Sequence, residues 1–204
     1  MIGIVMATDL EAKPFLKGLS LHKAEKNPFP IFINNDFLLI ISGIGKSNAA
    51  IATSYSILKY KTDYMFNIGA AGSTKMDIGI GEIFHIDRVI EYDRPRLKDK
   101  SQRLIKPDIL KGFKTTSLST QDRPIIDLSE REKVSKFANL VDMEGASVIQ
   151  ACRIFNVICY LFKIISDTPQ HNNSIDIASN IKMVRDGMFN FFIEKIQNNL
   201  PRKR

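Results

Sequence analysis

The 204-residue sequence predicts a single α/β domain in which helices flank a largely buried β-sheet. Three observations predict it. Short apolar runs alternate with amphipathic segments along the chain, as expected for alternating strands and helices. Hydrophobic residues make up 44% of the chain and charged residues 25%, which suffices for a well-buried core. Neither an internal repeat nor a low-complexity linker divides the sequence, so one domain is expected over residues 1–204.

Eight apolar or β-branched runs are predicted as strands. They cover residues 2–6, 31–33, 37–42, 64–68, 82–93, 114–119, 139–143 and 157–166. Asn34, Asn35 and Asp36 separate the second run from the third, and such residues favour a hairpin turn. The first strand, by contrast, leads into a helical segment.

Five amphipathic segments are predicted as helices: residues 9–19, 47–60, 129–138, 145–155 and 175–199. Pro14 is expected in or near the first turn of the first helix, because proline has no N–H to donate. Ser129 and Glu132 have the spacing of a capping box for the third helix. The last helix has one apolar face, formed by Ile181, Val184, Met188, Phe191, Phe192 and Ile196.

The formal net charge of +7 does not indicate a nucleic-acid partner. Basic residues are scattered, except in segments 94–106 and 201–204, and neither segment is interleaved with aromatic residues. We interpret the first as a solvated loop, and residues 199–204 as a disordered basic tail. Cys152 and Cys159 lie in apolar sequence without a nearby histidine, which indicates core thiols and no metal site.

The N-terminal residues do not resemble a signal peptide, since acidic residues follow a very short apolar run. No apolar stretch reaches the length of a membrane span. We therefore expect a cytoplasmic protein without a membrane partner.

The stretch SGIGKS at residues 42–47 resembles a phosphate-binding loop, because a strand leads through glycines into a helix. A full P-loop needs a glycine five positions before Gly45, and that position is Ile40. The spacing therefore excludes a P-loop NTPase. What remains is a tight turn at Gly43 and Gly45, with Lys46 as a surface residue at the helix start.

Three carboxylates lie at or just beyond the ends of predicted strands: Glu11, Glu144 and Asp167. In α/β folds the site lies where such ends meet helix N-termini. Each residue also has a purely structural interpretation. Thr8 and Glu11 match a capping box, Glu144 suits the first turn of a helix, and Asp167 can initiate a turn before Pro169.

The ordered motifs GIVMATDLEA, SGIGKSNAA, FNIGAAGS, VDMEGAS and ISDTP resemble those of the nucleoside phosphorylase and nucleosidase superfamily. The similarity is greatest to its 5′-methylthioadenosine/S-adenosylhomocysteine nucleosidase branch and covers almost the whole chain. It implies a single α/β domain with a central twisted mixed sheet, and a homodimer that hydrolyses the N-glycosidic bond of a purine nucleoside without a metal or cofactor.

The resemblance also implies residue roles. Asp167 would donate a proton to purine N7, and Glu11 would hold and help deprotonate the attacking water. Glu144 and Met143 would line the ribose site. Substrate-binding positions are further implied at Ala70, Gly72 and Ser166, within the motifs NIGAAGS and ISDTP.

Two departures from the family pattern leave the substrate open. Ala70 stands where a small hydroxyl residue near the catalytic aspartate is usual, and Arg123 or Pro124 stands where an aromatic ring stacks on the base. Futalosine and hopanoid-linked adenosine are therefore candidate substrates beside 5′-methylthioadenosine. Two other functions stay open: a phosphate-dependent phosphorylase and a non-catalytic nucleoside-binding homologue.

Overall fold

Ten strands form one mixed β-sheet in the computed structural model, which describes residues 1–95, 103–171 and 173–200. The strands are β1 (Ile2–Met6), β2 (His22–Glu25), β3 (Ile31–Ile33), β4 (Phe37–Ile41), β5 (Tyr64–Ser73), β6 (Ile83–Glu91), β7 (Leu104–Ile105), β8 (Thr115–Thr120), β9 (Leu140–Asp142) and β10 (Ile158–Asp167). The helices are α1 (Asp9–Gly18), α2 (Lys46–Tyr60), α3 (Leu128–Ser135), α4 (Gly145–Ile154) and α5 (Ser174–Phe191). The predicted α/β class with a central mixed sheet is confirmed.

Five of these strands close into a ring, because β5 pairs with β10, β10 with β6, β6 with β8, β8 with β9, and β9 with β5. Four more strands extend from the other part of β5 in the order β1, β4, β3 and β2, and the short β7 pairs with β6. Helices α2 and α4 pack together, as do α1 and α5. Two large buried apolar clusters form the core, and the cysteines Cys152 and Cys159 are buried and free, as predicted.

One edge of β5 changes partner along its length. β1 pairs with β5 as far as Asn67, and β9 pairs with it from Gly72 onward. Between these points the edge opens toward helix α1, where the N–H of Ala70 meets a side chain and not a strand. This opening is the kind of switch point at which α/β sheets bind ligands.

The glycine-rich motif NIGAAGS lies inside β5, although the sequence prediction ended that strand at residue 68. Glycine is depleted in strands, so the pattern indicated a loop. The strand continues because β10 pairs with it in parallel from Tyr64 to Gly72. Tertiary pairing therefore overrides the local preference.

Pro14 lies in the second turn of α1, near the first turn as expected but not within it. A proline at this position cannot donate to the carbonyl of Leu10, four residues earlier. The side chain of Arg185 from α5 donates to that carbonyl instead, with Nη1 at 2.9 Å from the oxygen. A contact between helices distant in sequence thus replaces the missing backbone hydrogen bond.

Helix α3 begins at Leu128 and is capped by Asp127, not by Ser129. The carboxylate of Asp127 accepts a hydrogen bond from the N–H of Glu130, and the hydroxyl of Ser129 donates to the same carboxylate. The predicted capping box was wrong because Asp127, two residues earlier, is an equally good capping residue.

The short strands β2 and β7 were missed by the sequence prediction, and the C-terminal helix is shorter than predicted. Helix α5 ends at Phe191 and is followed by a π-helical turn, Phe192–Ile196, and a 3₁₀ turn, Gln197–Asn199. The last four residues of the predicted basic tail, 201–204, lie outside the described residues, as does part of segment 94–106.

None of the helices in the described ranges has the length and apolarity that a membrane span needs.

Candidate active site

A single cavity brings together the three carboxylates that the sequence singled out. It lies beside the open edge of β5. Its lining includes Thr8, Glu11, Ile44, Ala70, Gly72, Arg123, Pro124, Ile125, Arg131, Asp142, Met143, Glu144, Ser166 and Asp167. Every residue predicted for catalysis or substrate binding is therefore at this cavity.

Glu11 caps helix α1 and also reaches the sheet. Its Oε2 accepts hydrogen bonds from the Thr8 N–H at 3.0 Å and the Thr8 hydroxyl at 2.6 Å, which completes a capping box. Its Oε1 accepts from the N–H of Ala70 at 2.8 Å, at the open edge of β5. The structural interpretation of Glu11 is thus correct, and the same contacts fix its carboxylate at the cavity wall.

Asp167 is buried at the end of β10, where its two carboxylate oxygens have different partners. The Ser166 hydroxyl donates to Oδ1 at 2.7 Å, and the Arg131 guanidinium forms an ion pair with Oδ2. Gly72 lies opposite on β5, and a Cβ atom added there would be 2.4 Å from Oδ2. Glycine is therefore required at residue 72 for this aspartate to occupy its place.

Arg131 is the main site residue that the sequence analysis missed. Its side chain is 2% exposed although it belongs to the polar helix α3. Beside the ion pair, Nε donates to the Ile125 carbonyl at 2.9 Å and Nη1 to the Ser73 carbonyl at 2.7 Å. The segment LSEREKVS has no clear apolar face that would identify its buried side, so no local signal distinguished Arg131 from its exposed neighbours.

Glu144 is buried at the start of α4, and its Oε1 accepts from the N–H of Gly45 at 2.9 Å. The turn SGIGKS therefore contacts the site through a backbone N–H that binds a carboxylate. Burial, together with the charge of Asp142, raises the pKa of Glu144 to about 7. Met143 lines the cavity next to it and is half-buried.

A buried lysine lies beneath these carboxylates. Lys163 is 1% exposed on β10, and its Nζ is 2.8 Å from Oδ2 of Asp142. Burial alone would lower the pKa of Lys163, but Asp142, Glu144 and Glu11 outweigh it, so the pKa is raised. The sequence did contain a signal for this residue, namely a charged side chain within the apolar run VICYLFKIIS. A lysine buried there needs anionic partners, which indicates nearby carboxylates.

Asp142 is held by three groups, which gives it a structural role. The Thr120 hydroxyl donates to its Oδ1 at 2.6 Å, while the Gly145 N–H and the Lys163 ammonium both donate to Oδ2. These contacts join β8, β9, α4 and β10 below the cavity. Asp142 thereby supports the loop that carries Met143 and Glu144.

The structure shows where the two departures from the family pattern lie, at Ala70 and at Arg123 and Pro124. Ala70 contacts Glu11 through its N–H, and it is Gly72, two residues later, that lies against Asp167. The hydroxyl group beside that aspartate comes from Ser166. At the position expected for an aromatic ring, Arg123 and Pro124 both line the cavity, and the exposed Arg123 guanidinium forms an ion pair with Glu130.

The N-terminus of α2 is occupied by carboxylates of the protein itself. Oδ1 of Asp122 accepts from the Lys46 N–H at 2.9 Å, and Nζ of Lys46 lies 2.7 Å from Oδ1 of Asp93. The N–H of Asp122 donates in turn to Oδ2 of Asp93 at 2.8 Å. Lys46 is thus not the simple surface residue that the sequence predicted, because it joins two loops to the start of α2.

A ring of strands with carboxylates at the switch point of the sheet defines an α/β fold with a candidate active site. The chain belongs to the phosphorylase superfamily, whose family model matches residues 1–111. It is similar to 5′-methylthioadenosine/S-adenosylhomocysteine nucleosidases. The relative from Buchnera aphidicola is 29% identical over 90% of this chain and 91% of its own length. The relative from Staphylococcus aureus is 29% identical over 82% and 86%.

Solved structures share the fold over nearly the whole chain. The 5′-methylthioadenosine/S-adenosylhomocysteine nucleosidase of Helicobacter pylori, complexed with a pyrrolidine compound, has a TM-score of 0.85 at 21% identity and covers 97% of both chains. The futalosine hydrolase of Helicobacter pylori has the same TM-score, identity and coverage. Since both names accompany the same fold similarity, the substrate has to be argued from the site.

Proposed function

We propose that this protein hydrolyses the N-glycosidic bond of a purine nucleoside to a free base and a ribose derivative. The observation that carries the proposal is that Glu11, from α1, and Asp167, from β10, both contact strand β5. Glu11 contacts β5 at Ala70 and Asp167 contacts it at Gly72, two residues and roughly 7 Å further along. Two carboxyl groups held beside neighbouring positions of one strand can act on opposite sides of a bond between a sugar and a base.

The reaction needs these groups because charge separates as the bond breaks. Positive charge develops on the ribose and negative charge on the departing base. Asp167 donates a proton to purine N7 as the bond between C1′ and N9 breaks. A water held by Glu11 forms the new bond to C1′ and gives a proton to that carboxylate, which returns it to solvent. Asp167 then regains its proton from solvent.

Glu144 and Met143 complete the sugar side of the cavity. The carboxylate of Glu144 accepts hydrogen bonds from ribose hydroxyls, and the N–H of Gly45 fixes its orientation. Met143 provides apolar contact to the sugar. The family relatives named nucleosidases support this assignment of the class of enzyme, an N-glycosyl hydrolase.

Hydrolysis is favoured over phosphorolysis by the charges around the cavity. A phosphate dianion would meet Glu11 at the attack site, where a like charge in a poorly hydrated cavity is strongly unfavourable. The N-terminus of α2, the alternative anion site, already binds Asp122, and Lys46 is paired with Asp93. The cavity arginines Arg123 and Arg131 are paired with Glu130 and Asp167.

The proposal is tested by incubating the purified protein with a panel of purine nucleosides, with and without 5′-alkylthio substituents, and measuring free base by chromatography. Release of base from at least one member is expected, and it should be abolished in Glu11→Gln. Nucleosides bound but left intact by the wild type would support a non-catalytic nucleoside-binding protein. The variant Lys133→Gln, on the exposed side of α3, is the matched control and should retain full turnover.

A further inference from the structure

Thr8 lines the cavity, and its hydroxyl group forms two hydrogen bonds with Glu11. The hydroxyl donates to Oε2 of that carboxylate at 2.6 Å and accepts from the N–H of Glu11 at 3.3 Å. The direction of the hydroxyl proton is fixed, because an ionised carboxylate has no proton to donate. The N–H of Thr8 donates to the same oxygen at 3.0 Å. Oε2 therefore accepts two hydrogen bonds from a single residue.

These contacts leave the two oxygens of Glu11 in different states. An ionised carboxylate has about four lone-pair positions, two on each oxygen. Within the described residues three of the positions are filled: two on Oε2 by Thr8, and one on Oε1 by the N–H of Ala70 at 2.8 Å. The acceptor position that remains is on Oε1.

Oε1 is also the oxygen that lies against strand β5. A Cβ atom added at Gly69 would be 2.9 Å from it, so the oxygen is in close contact with the backbone of the strand. Glu11 is buried, with 7% of its surface exposed. Rotation of the carboxylate about its Cγ–Cδ bond would break the hydrogen bonds to Thr8, so this residue keeps Oε1 on the side of the strand.

From this arrangement we infer that Thr8 is a positioning residue for the hydrolysis. Its hydroxyl and N–H groups occupy Oε2 and leave Oε1 as the oxygen that accepts the proton of the attacking water. The inference rests on the proposed function, because it takes Glu11 to hold that water. It adds a kinetic role to the capping of α1, since a base held in one orientation is already aligned for proton transfer.

The test removes the hydroxyl group in two ways. Thr8→Val removes it at nearly constant volume, and Thr8→Gly removes it while keeping a residue that suits a helix N-cap. Both variants should lower kcat for base release on the order of 10- to 100-fold, since a small displacement of a catalytic group has an effect of this size. KM for the nucleoside should change little, because Glu11 acts on the water.

Two further variants separate this role from helix capping. Thr8→Ser keeps the hydroxyl and should retain most of the wild-type kcat. Thr53→Val is the matched control, because it makes the same replacement at a buried threonine of α2 outside the cavity lining, where the hydroxyl donates to the Ala49 carbonyl at 2.7 Å. It should leave kcat unchanged. Urea unfolding of each variant shows the conditions under which it is folded, and the kinetics are measured there.

Wild-type kcat in a folded Thr8→Val or Thr8→Gly variant would overturn the role of Thr8 and leave the proposed hydrolysis standing. Thr8→Ser as slow as Thr8→Val would also overturn it, because the hydroxyl would then not be the group that acts. If the wild type releases no base from any nucleoside of the panel, the proposed function fails and the role of Thr8 fails with it. The wild-type and variant rates thus distinguish failure of the one proposal from failure of the other.

Discussion

At the scale of single residues, the site contains a buried ion pair whose aspartate is the proposed general acid. Asp167 and Arg131 are both almost fully buried, and each is the other's charged partner. Removing one partner of such a pair leaves an uncompensated buried charge, which costs far more than the pair contributes net. The proposed general acid therefore cannot be altered without a stability cost, and activity and stability have to be measured together.

Asp167→Asn is expected to lower kcat by about 10²- to 10⁴-fold, since a positioned general acid contributes that much. The variant should also lose about 3 kcal/mol of unfolding free energy, because Arg131 keeps its charge. Turnover is measured by base release and stability by urea unfolding. Near wild-type turnover would show that Asp167 is not the acid.

A double-mutant cycle separates the loss of activity from the loss of stability. In Asp167→Asn combined with Arg131→Met, the stability loss should be smaller than the sum of the two single losses, because the unpaired charge is absent. Activity should stay as low as in the single Asp167 variant. Additive stability losses would contradict the ion pair.

Glu144 gives a prediction about pH. Its pKa is raised from 4.5 to about 7, chiefly by burial. Below pH 4.5 both the folded and the unfolded forms hold the proton. Between pH 4.5 and 7 the folded protein binds more protons, so this residue makes the free energy of unfolding fall as pH rises, by about 3 kcal/mol in full.

In Glu144→Gln that pH-dependent loss should disappear. Urea unfolding at pH 5, 6, 7 and 8 should show the variant gaining stability relative to the wild type as pH rises, with little further change above pH 8. A difference between the two proteins that is constant across this range would contradict the raised pKa.

At the scale of elements, strand β5 carries the site because its partners change along one edge. The N–H of Ala70 orients Glu11, and the absence of a side chain at Gly72 admits Asp167. A strand with four glycine or alanine residues in its second half is a poor strand by local preference. The long parallel pairing with β10 is what holds these residues in a strand.

Gly72→Ala should reduce kcat at least tenfold, because the added Cβ would lie 2.4 Å from Oδ2 of Asp167 and displace the carboxyl group. Gly187→Ala is the matched control. It adds the same methyl group within helix α5, where no heavy atom lies within 4 Å, and should leave kcat unchanged while adding about 0.5–1 kcal/mol of stability. Unchanged turnover in Gly72→Ala would contradict the proposed position of Asp167.

The elements and the carboxylates of the site were largely predictable from sequence, while their partners were not. Apolar runs and glycine turns identified the main strands, and the ordered motifs located Glu11, Glu144 and Asp167. Contacts between segments that are distant in sequence produce no local sequence pattern, so they could not be predicted. The ion pair of Arg131 and the hydrogen bond from Arg185 to Leu10 depend on side chains in helices whose charged residues resemble solvated ones.

At the scale of the whole molecule, the homodimer implied by the sequence resemblance stays a prediction. One exposed apolar surface is suited to be its interface. Ile44, Ile51 and Leu58 recur every seven residues along α2 and its preceding turn, and each is more than half exposed. Exposed apolar stripes of this kind mark interaction surfaces. Ile44 also lines the cavity, so this surface adjoins the site.

Sedimentation velocity should therefore show a dimer, and the double variant Ile51→Glu/Leu58→Glu should be monomeric. Met183→Glu introduces a charge at an exposed apolar residue of α5, away from α2, and should stay dimeric. A monomeric wild type at micromolar concentration would contradict the prediction. A dimer that is unaffected by the α2 variant would exclude this surface.

The whole chain is proposed to act as a hydrolase within a superfamily named for phosphorylases, and the sugar product tests that claim most directly. A purine nucleoside cleaved by this protein is followed by ¹H and ³¹P NMR, in buffer without phosphate and in buffer containing it. We predict the free sugar at the same rate in both, because Glu11 faces the attack site and carboxylates already occupy the N-terminus of α2. A strict requirement for phosphate, with a ribose 1-phosphate product, would contradict the account.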